Sequence, residues 1–258
     1  MAATNQPGSA NRIKSTDTMF AILETIQSHD GAGVTEIASE LGVSKSTVHS
    51  HLSSLLENRC VVKEGTTYHI GLRFLNFGGY ARNRNGRYDI IKPEIDGLVE
   101  ETGESAKMLV EEHGRGIYLY QARGDRAVKT DSHVGTEVYL HCTALGKAIL
   151  AHLPEERVHE IVDRHGLPEK TPKTITDRNA LFDELEAVRS RGYARDDGER
   201  IPGIRCIAAP IRMDGGEVLG AMSVSGPTKR LEGERFRTEI PELVCRAARV
   251  VEINATYT

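Results

Sequence analysis

The sequence has few cysteines, no long apolar run and no strong excess of charge of either sign. The cysteines are scattered without a CxxC pair, which argues against a zinc site or a disulfide framework and fits a reducing compartment. They are Cys60, Cys142, Cys206 and Cys245. No apolar stretch approaches the roughly 20 residues that span a bilayer. A formal net charge of −4 gives no sign of a nucleic-acid binder, so that function requires a local pattern.

The amino-terminal segment, residues 1–11, lacks the basic start and the apolar centre of a signal peptide. We expect a disordered tail there and a cytoplasmic protein that has no membrane partner. The 258 residues suffice for two modest domains, each with its own core, and they contain no internal repeat.

Apolar residues recur at helical spacing over residues 15–28, and residues 30–33 break that pattern. Thr35 can cap a short second helix that ends at Gly42, because glycine readily adopts a left-handed conformation. Ser44 can cap a third helix, for which Asn58 is the expected end. Two β-like segments, 60–63 and 67–70, flank a turn. Three helices and a hairpin predict a winged helix-turn-helix over residues 12–81.

The helix-turn-helix needs a small residue, a turn glycine and an apolar anchor where its two helices cross. Ala38, Gly42 and Val48 stand at suitable spacing for these roles. The second helix would present its first residues to the major groove, where hydroxyl and ammonium groups bind phosphates or base edges. These residues are Ser44, Lys45, Ser46, Thr47, His49 and Ser50. The alternative is a three-helix packing unit with a solvated polar face.

The charge of this region does not favour DNA binding. Residues 11–80 carry one more acidic than basic side chain, whereas DNA-binding domains are usually basic because phosphate neutralisation releases counterions. Arg82, Arg84 and Arg87 can add positive charge, or they can belong to a solvated linker. A salt-rich cytoplasm is another explanation for the acidic balance.

The rest of the chain divides into a linker helix over residues 82–103 and a second domain over 104–258. Pro93 stands inside the linker pattern and would remove one backbone donor. Strand-like segments at 106–111, 117–121, 207–213 and 218–225 are joined in pairs by glycine-containing turns. Helical patterns occupy 145–153, 154–164, 177–191 and 233–255. We therefore expect a mixed α/β chain whose second domain is α+β with an antiparallel sheet.

From about residue 12 to residue 254 the sequence resembles the IclR family. The resemblance rests on the order and spacing of several segments. They are Ser44-Lys45-Ser46-Thr47-Val48-His49, Tyr68-His69-Ile70-Gly71-Leu72-Arg73, Thr102-Gly103-Glu104, His141-Cys142-Thr143-Ala144-Leu145-Gly146-Lys147-Ala148, the stretch 171–177, Gly203-Ile204-Arg205-Cys206-Ile207-Ala208-Ala209-Pro210, and Ser223-Val224-Ser225-Gly226-Pro227.

The resemblance implies a regulator that binds a palindromic double-stranded DNA operator as a homodimer or homotetramer. It implies a GAF-like second domain that binds a small metabolite, which we take to be an anionic organic or sugar acid. It adds Arg73 to the DNA-binding residues. It also places the effector at Ala144, Leu145, Asp196, Cys206, Ser223 and Ser225. The amides of Ala144 and Leu145 would start a helix, which favours an anion.

This chain departs from the family pattern at two positions. Ser50 stands where family members usually carry arginine, and Gly198 replaces a usual acidic residue. The first departure removes one expected DNA contact, and the second alters the loop beside the expected pocket.

Each candidate effector residue also has a structural interpretation. Ser223 and Ser225 can lie on a solvated sheet face, Cys206 in a core and Asp196 in a turn. His141 is interpreted as structural. Lys147 is interpreted as a surface helix residue, because the upstream glycine of a phosphate loop is missing.

Two other functions remain open at this point. One is a cysteine hydrolase that uses Cys206 and a base such as His141, although no orienting acid is placed beside them. The other is a protein-interaction adaptor whose winged helix no longer binds DNA. The favoured interpretation has no catalytic residue, no metal and no cofactor.

Overall fold

The computed structural model describes residues 13–84 and 88–256. The chain divides into two compact units, Met1–Ala81 and Arg82–Thr258. The expected tail over residues 1–11 lies outside the described residues, as does Arg87 of the predicted linker.

The first unit is a small helical domain with a three-stranded antiparallel sheet. Its elements are α1 (Lys14–Ser28), β1 (Ala32–Gly33), α2 (Val34–Leu41), α3 (Lys45–Glu57), β2 (Val61–Glu64) and β3 (Thr67–Ile70). The strands lie in the order β1-β3-β2. Ile22, Ile26, Ile37, Val48 and Leu52 are fully or almost fully buried between the three helices. The predicted winged helix-turn-helix is confirmed.

The residues at the ends of these helices account for where the helices begin and end. Gly42 has φ +64° at the end of α2, a left-handed conformation that glycine adopts at low cost. The Ser44 hydroxyl accepts a 3.1 Å hydrogen bond from the backbone N–H of Thr47 and so caps α3. Asn58 follows the last residue of α3, as expected. The second helix begins at Val34, one residue before the predicted cap residue Thr35, and Gly33 occupies the N-cap position instead.

A helix that was not predicted, α4 (Arg73–Asn83), follows the hairpin. None of its described side chains is buried, so no packing within the described residues marks this segment as a helix. Its sequence also contains Gly78 and Gly79, which have low helix propensity. Its large apolar side chains are exposed, among them Leu75, Phe77 and Tyr80.

The second unit contains a six-stranded antiparallel sheet with helices on both faces. Its elements are α5 (Tyr88–Thr102), β4 (Ser105–Glu112), β5 (Arg115–Arg123), β6 (Glu137–Val138), α6 (Ala144–Leu150), α7 (Glu155–His165), α8 (Arg178–Arg191), β7 (Ala194–Asp197), β8 (Ile204–Arg212), β9 (Val218–Pro227), a π-helical segment (Arg235–Glu239) and α9 (Ile240–Thr256). The strand order is β6-β5-β4-β9-β8-β7. The expected α+β domain is confirmed.

Alternation along the strands gives each face of the sheet its own core. One face packs against α5 and α9 and includes Ile207 and Val224. The other packs against α6, α7 and α8 and includes Cys206 and Ala208. Because neighbouring residues of a strand point to opposite faces, Cys206 and Ile207 belong to different cores.

The linker prediction needs refinement. The helix α5 buries Ile91, Ile95 and Leu98 in the second core, so this segment packs as part of the second unit. Pro93 lies within α5 and removes only the one hydrogen bond that its missing N–H would donate. Residues 82 and 83 belong to α4.

Three details of the second unit differ from expectation. The short strands β6 and β7 were not predicted. The strand β7 contains the pair Asp196-Asp197, which is typical of a turn. The predicted closing helix is interrupted at its start by the π-helical segment. No helix within residues 13–84 and 88–256 is both long enough and apolar enough to cross a membrane.

Candidate functional site

The first candidate surface is the amino-terminal end of α3. Five of the predicted residues there, and the cap residue Ser44, are exposed, while Val48 and Leu52 anchor the opposite side in the core. The exposed residues of α3 itself are Lys45, Ser46, Thr47, His49 and Ser50. The geometry leaves a continuous polar edge at the start of a helix.

Several of these hydroxyl groups already have partners within the helix. The Ser44 hydroxyl lies 2.8 Å from the hydroxyls of Ser46 and Thr47, and the Ser50 hydroxyl donates to the Ser46 carbonyl at 3.0 Å. Lys45 is exposed and makes no salt bridge within residues 13–84 and 88–256, so its ammonium group is available to a phosphate or a guanine.

Arg73 lies at the start of α4 rather than at the end of α3. Its guanidinium donates to the carbonyl oxygen of Asn58 and lies 5.5 Å from the ring centre of Phe77. The side chain is exposed, but these contacts draw it towards its own domain.

The second candidate site is an enclosed cavity in the second unit, between the sheet and the start of α6. Its volume is about 40 Å³, close to the roughly 30 Å³ that one water molecule occupies in the liquid. The lining residues are Lys107, Tyr118, Thr130, Thr143, Leu145, Asp196, Arg200, Ile201, Ile204, Cys206, Ser223 and Ser225.

The register of the sheet brings the polar lining together. Ser225 on β9 pairs with Cys206 on β8, and Cys206 pairs with Asp196 on β7. On the other side of β9, Ser223 pairs with Lys107 on β4. Since residues two apart on a strand share a face, all five side chains point to the α6 side of the sheet.

Five of the six predicted effector residues therefore line one cavity: Leu145, Asp196, Cys206, Ser223 and Ser225. The sixth, Ala144, is buried at the first position of α6 and is not among the lining residues. The helix is capped there by Thr143, whose hydroxyl accepts a 2.9 Å hydrogen bond from the Gly146 N–H. That cap already satisfies one of the amides that an anion would otherwise use.

Ser223 has an unusual hydroxyl group. The residue is fully buried, its oxygen makes no hydrogen bond of normal geometry among the described residues, and its polar neighbour is the thiol of Cys206, a weak hydrogen-bonding group. A buried hydroxyl without a full hydrogen bond costs free energy, so a ligand that bonded to it would recover that cost.

The structure adds polar residues that the sequence interpretation missed, above all Lys107, Tyr118 and Arg200. Lys107 and Ser105 occupy alternate positions of β4, as Ser223 and Ser225 do on β9, and this shared alternation was the available signal. Arg200 gave no such signal, because it lies in a loop and makes a 2.8 Å salt bridge with Asp131.

Asp196 lies in a strand and not in a turn, and its side chain is 6% exposed. Burial, together with the negative charge of Glu199, raises its pKa from 3.8 to about 7. A carboxyl group with a pKa of about 7 is partly protonated near neutral pH, and its protonated form can donate a hydrogen bond to an anion as well as accept one.

Lys147 is buried, and its interpretation as a surface residue was wrong. It is 1% exposed, and its ammonium lies 2.6 Å from Glu199 and 3.7 Å from Glu184. An isolated buried ammonium would be too costly, so the partner carboxylates explain how a lysine can stand on the inner side of α6. The partner Glu199 is 52 residues away in sequence and could not be inferred from the helix itself.

Hydrogen bonds fix the backbone around Glu199, next to the cavity residues Asp196 and Arg200. The backbone N–H of Glu199 donates to the Asp196 carboxylate at 2.7 Å. The hydroxyls of Thr171 and Thr174 donate to the carbonyls of Gly198 and Glu199 at 2.7 and 2.6 Å. Gly198 has φ +83°, a left-handed conformation that suits glycine.

His141 and Cys206 do not form a reactive pair. His141 makes a 3.2 Å hydrogen bond with the Pro168 carbonyl, which agrees with a structural role. Burial and the negative charge of Asp196 raise the pKa of Cys206 to about 12, so its thiol stays protonated and is a poor nucleophile. No group of three or more metal-ligating side chains forms within the described residues.

A winged helix-turn-helix, carried on the same chain as a sensor-like domain with an enclosed polar cavity, defines a ligand-responsive DNA-binding regulator. Two family models match: the IclR helix-turn-helix domain over residues 15–65 and the bacterial transcriptional regulator IclR C-terminal domain over residues 86–253. The chain belongs to the IclR family of transcriptional regulators. This membership sets the hydrolase interpretation aside, because the curated relatives are regulators rather than enzymes.

Relatives agree along nearly the whole chain. The HTH-type regulator ArcR of Halobacterium salinarum is 37% identical over 98% of this chain and 97% of its own length. The transcriptional repressor IclR of Escherichia coli is 31% identical over 90% of this chain and 86% of its own length.

Solved structures share the fold. IclR of Thermotoga maritima has a TM-score of 0.75 and 28% identity, over 93% of this chain and 96% of its own. An IclR homolog from Microbacterium hydrocarbonoxydans, complexed with 4-hydroxybenzoate, has a TM-score of 0.79 and 22% identity, over 93% and 98%.

Proposed function

We propose that the start of α3 reads a palindromic operator and that the cavity beside α6 binds a small anionic organic acid that controls DNA binding. The observation that carries the effector assignment is the buried Ser223 hydroxyl, which faces a partly enclosed cavity and has no partner there stronger than the Cys206 thiol among the described residues. A ligand that accepts or donates a full hydrogen bond there would satisfy this buried group.

The small acid is supported by the charges around the cavity. Lys107 and Arg200 line it, and the raised pKa of Asp196, about 7, reduces the negative charge of that carboxyl near neutral pH, so the walls favour an anion. The IclR homolog from Microbacterium hydrocarbonoxydans is complexed with 4-hydroxybenzoate, an aromatic hydroxy acid, which supports an acid as the ligand of this chain. Hydroxyl groups on the same ligand would bond to Ser225 and Asp196, which favours hydroxy acids or sugar acids over plain fatty acids.

A palindromic operator requires a symmetric assembly of the protein. The first unit has an exposed apolar surface through which two copies of the chain could associate. Leu72, Leu75 and Tyr80 are each more than 70% exposed, and Phe77 is 53% exposed. Such a concentration of exposed apolar side chains is uncommon on a monomer. We propose that a second copy of the chain covers it, with a homodimer as the smallest assembly that fits an inverted repeat.

The DNA assignment is tested by replacing Lys45 and Thr47 together. We expect Lys45→Ala, Thr47→Ala to weaken binding to the wild-type operator by about 1–3 kcal/mol, the scale of a lost good base or phosphate contact. Fluorescence anisotropy with a labelled operator duplex measures the change.

The matched control removes the same two residue types elsewhere, as Thr228→Ala, Lys229→Ala in the second unit. Operator affinity should then stay at the wild-type value. If the α3 variant binds the operator as tightly as the control does, α3 is not the reading helix.

The effector assignment is tested by Ser223→Ala, Ser225→Ala. Two alanines remove both hydroxyls of β9 from the cavity and leave the sheet register intact, so the folded domain should survive. We expect the operator complex of this variant to ignore acids that dissociate the wild-type complex, or at least to need about tenfold more of them.

The measurement is operator anisotropy against a panel of hydroxy acids and sugar acids, with neutral sugars included. A variant that responds to the same acids at the same concentrations as the wild type would show that the effector binds elsewhere. A response of the wild type to neutral compounds alone would contradict the choice of an acid.

A further inference from the structure

Lys107 is a buried cation without a carboxylate partner. The residue is 5% exposed on the central strand β4. Its ammonium donates a 2.8 Å hydrogen bond to the Ser132 hydroxyl and lies 5.1 Å from the ring centre of Tyr118. Among residues 13–84 and 88–256, no carboxylate lies within 4.0 Å of it, whereas the other buried lysine, Lys147, has two.

The surroundings do not neutralise this charge. The charges of Arg200 and Arg123 act on Lys107 and lower its pKa, while Cys206 and Asp131 act in the opposite direction, and Asp131 is already paired with Arg200. Burial and these two arginines lower the pKa of Lys107 from 10.5 to about 8. A buried cation is usually paired, because its lost hydration must be replaced by an opposite charge.

Ser132 belongs to a cover segment, defined here as residues 124–136 between β5 and β6. Thr130 of this segment lines the cavity, and the Ser132 hydroxyl lies 2.9 Å from the Thr130 hydroxyl. Arg123 donates to the Ser132 carbonyl at 3.1 Å. A neutral hydroxyl thus takes the place on the ammonium where a carboxylate would bind more strongly.

We propose that Lys107 is the counter-charge for the carboxylate of the effector, and that the ligand replaces the Ser132 hydroxyl on its ammonium and displaces the cover segment. This rests on the proposed function, and it names the group that selects acids. The other end of the ligand reaches the buried Ser223 hydroxyl, which is paired with Lys107 across β4 and β9. A small hydroxy-carboxylate therefore matches the polar groups of the site, and its carboxylate reaches the ammonium when the Ser132 hydroxyl of the cover segment gives up its 2.8 Å hydrogen bond.

The experiment compares glycolate with glycolamide, its neutral isostere, by titration calorimetry on the full chain at pH 7. We expect the wild type to bind glycolate at least about tenfold more tightly than glycolamide, since a charge-assisted bond is lost with the amide. Lys107→Met should bind the two probes about equally. The control Lys229→Met changes an exposed lysine and should keep the wild-type preference.

A second variant keeps the proposal testable if Lys107→Met does not fold. Ser132→Ala removes the hydroxyl that competes for the ammonium, so glycolate should bind about twofold to tenfold more tightly, and glycolamide should change less. Equal affinities of the wild type for the two probes, or an unchanged preference in Lys107→Met, would overturn the assignment. So would failure of the wild type to bind glycolate.

The Ser223→Ala, Ser225→Ala variant separates this inference from the proposed site. If that variant loses affinity for glycolate while Lys107→Met keeps the wild-type preference, the cavity is the ligand site but Lys107 does not bind the carboxylate. If the serine variant binds both probes as the wild type does, the cavity assignment itself fails.

Discussion

Lys147→Met is expected to lower the free energy of unfolding by about 3–5 kcal/mol, the scale for breaking a buried ion pair from one side. Methionine fills the space of the aliphatic part of the lysine but leaves Glu199 without a cation. That carboxylate is 9% exposed, and its second oxygen, Oε2, has no hydrogen-bond partner among the described residues. Loss of the ammonium would destabilise Glu184 less, because Arg191 still donates a 2.6 Å hydrogen bond to its carboxylate.

Chemical denaturation with urea measures the loss. The double variant Lys147→Met, Glu199→Gln should recover part of it, since no buried charge then remains unpaired. Lys229→Met serves as the control and should stay within about 0.5 kcal/mol of the wild type, as surface substitutions usually do. A single Lys147→Met variant as stable as that control would show that the pair contributes nothing.

Asp196→Asn is expected to stabilise the protein in a manner that depends on pH. The folded pKa of Asp196 is raised to about 7 by burial and by Glu199, so the folded state binds more protons than the unfolded state between about pH 4 and pH 7. The wild type therefore loses stability as pH rises through this range. Asparagine does not titrate, and its side-chain oxygen can still accept the hydrogen bond from the Glu199 N–H.

The difference in unfolding free energy between Asp196→Asn and the wild type should grow from near its smallest value at pH 4 to as much as about 4 kcal/mol at pH 8. Denaturation of both proteins at several pH values gives this difference directly, and titrating groups that do not interact with Asp196 cancel in it. Asp214→Asn, in the exposed turn between β8 and β9, is the matched control and should give a flat difference. A flat line for Asp196→Asn would mean that Asp196 is ionised in the folded protein at pH 4.

The elements that the sequence predicted well are those whose signals are local. Ser44 caps α3 through a bond to a residue three positions later, and Gly42 ends α2 through its own φ angle. The helix-turn-helix follows from such signals together with the apolar spacing of Val48 and Leu52. The cap of α8 by Asp177, whose carboxylate accepts from the Ala180 N–H at 2.9 Å, is equally local.

The features that the sequence analysis missed depend on contacts between distant segments. Lys107 and Ser223 are 116 positions apart, and only the register of β4 with β9 places them side by side. The burial of Lys147 was missed because its partner, Glu199, is 52 residues away and gives no signal in the sequence of α6. The strand β7 was missed because Asp196-Asp197 has a low strand propensity, which pairing with β8 overrides.

The resemblance to the IclR family supplied what local chemistry could not. It brought Asp196, Cys206, Ser223 and Ser225 into one proposed pocket, and the sheet register explains why they share a face. It did not supply Lys107, and it placed Ala144 in a lining to which that residue does not belong.

The central claim, sequence-specific binding of a palindromic operator, is tested most directly by selecting bound duplexes from a random pool with the full chain. The account predicts enrichment of an inverted repeat whose half-sites are centred about one helical turn, or a multiple of it, apart. Recovered duplexes should bind more than about 10³-fold more tightly than scrambled ones at the same salt concentration. A pool that stays unenriched through repeated rounds, with scrambled and recovered duplexes bound equally, would contradict the account.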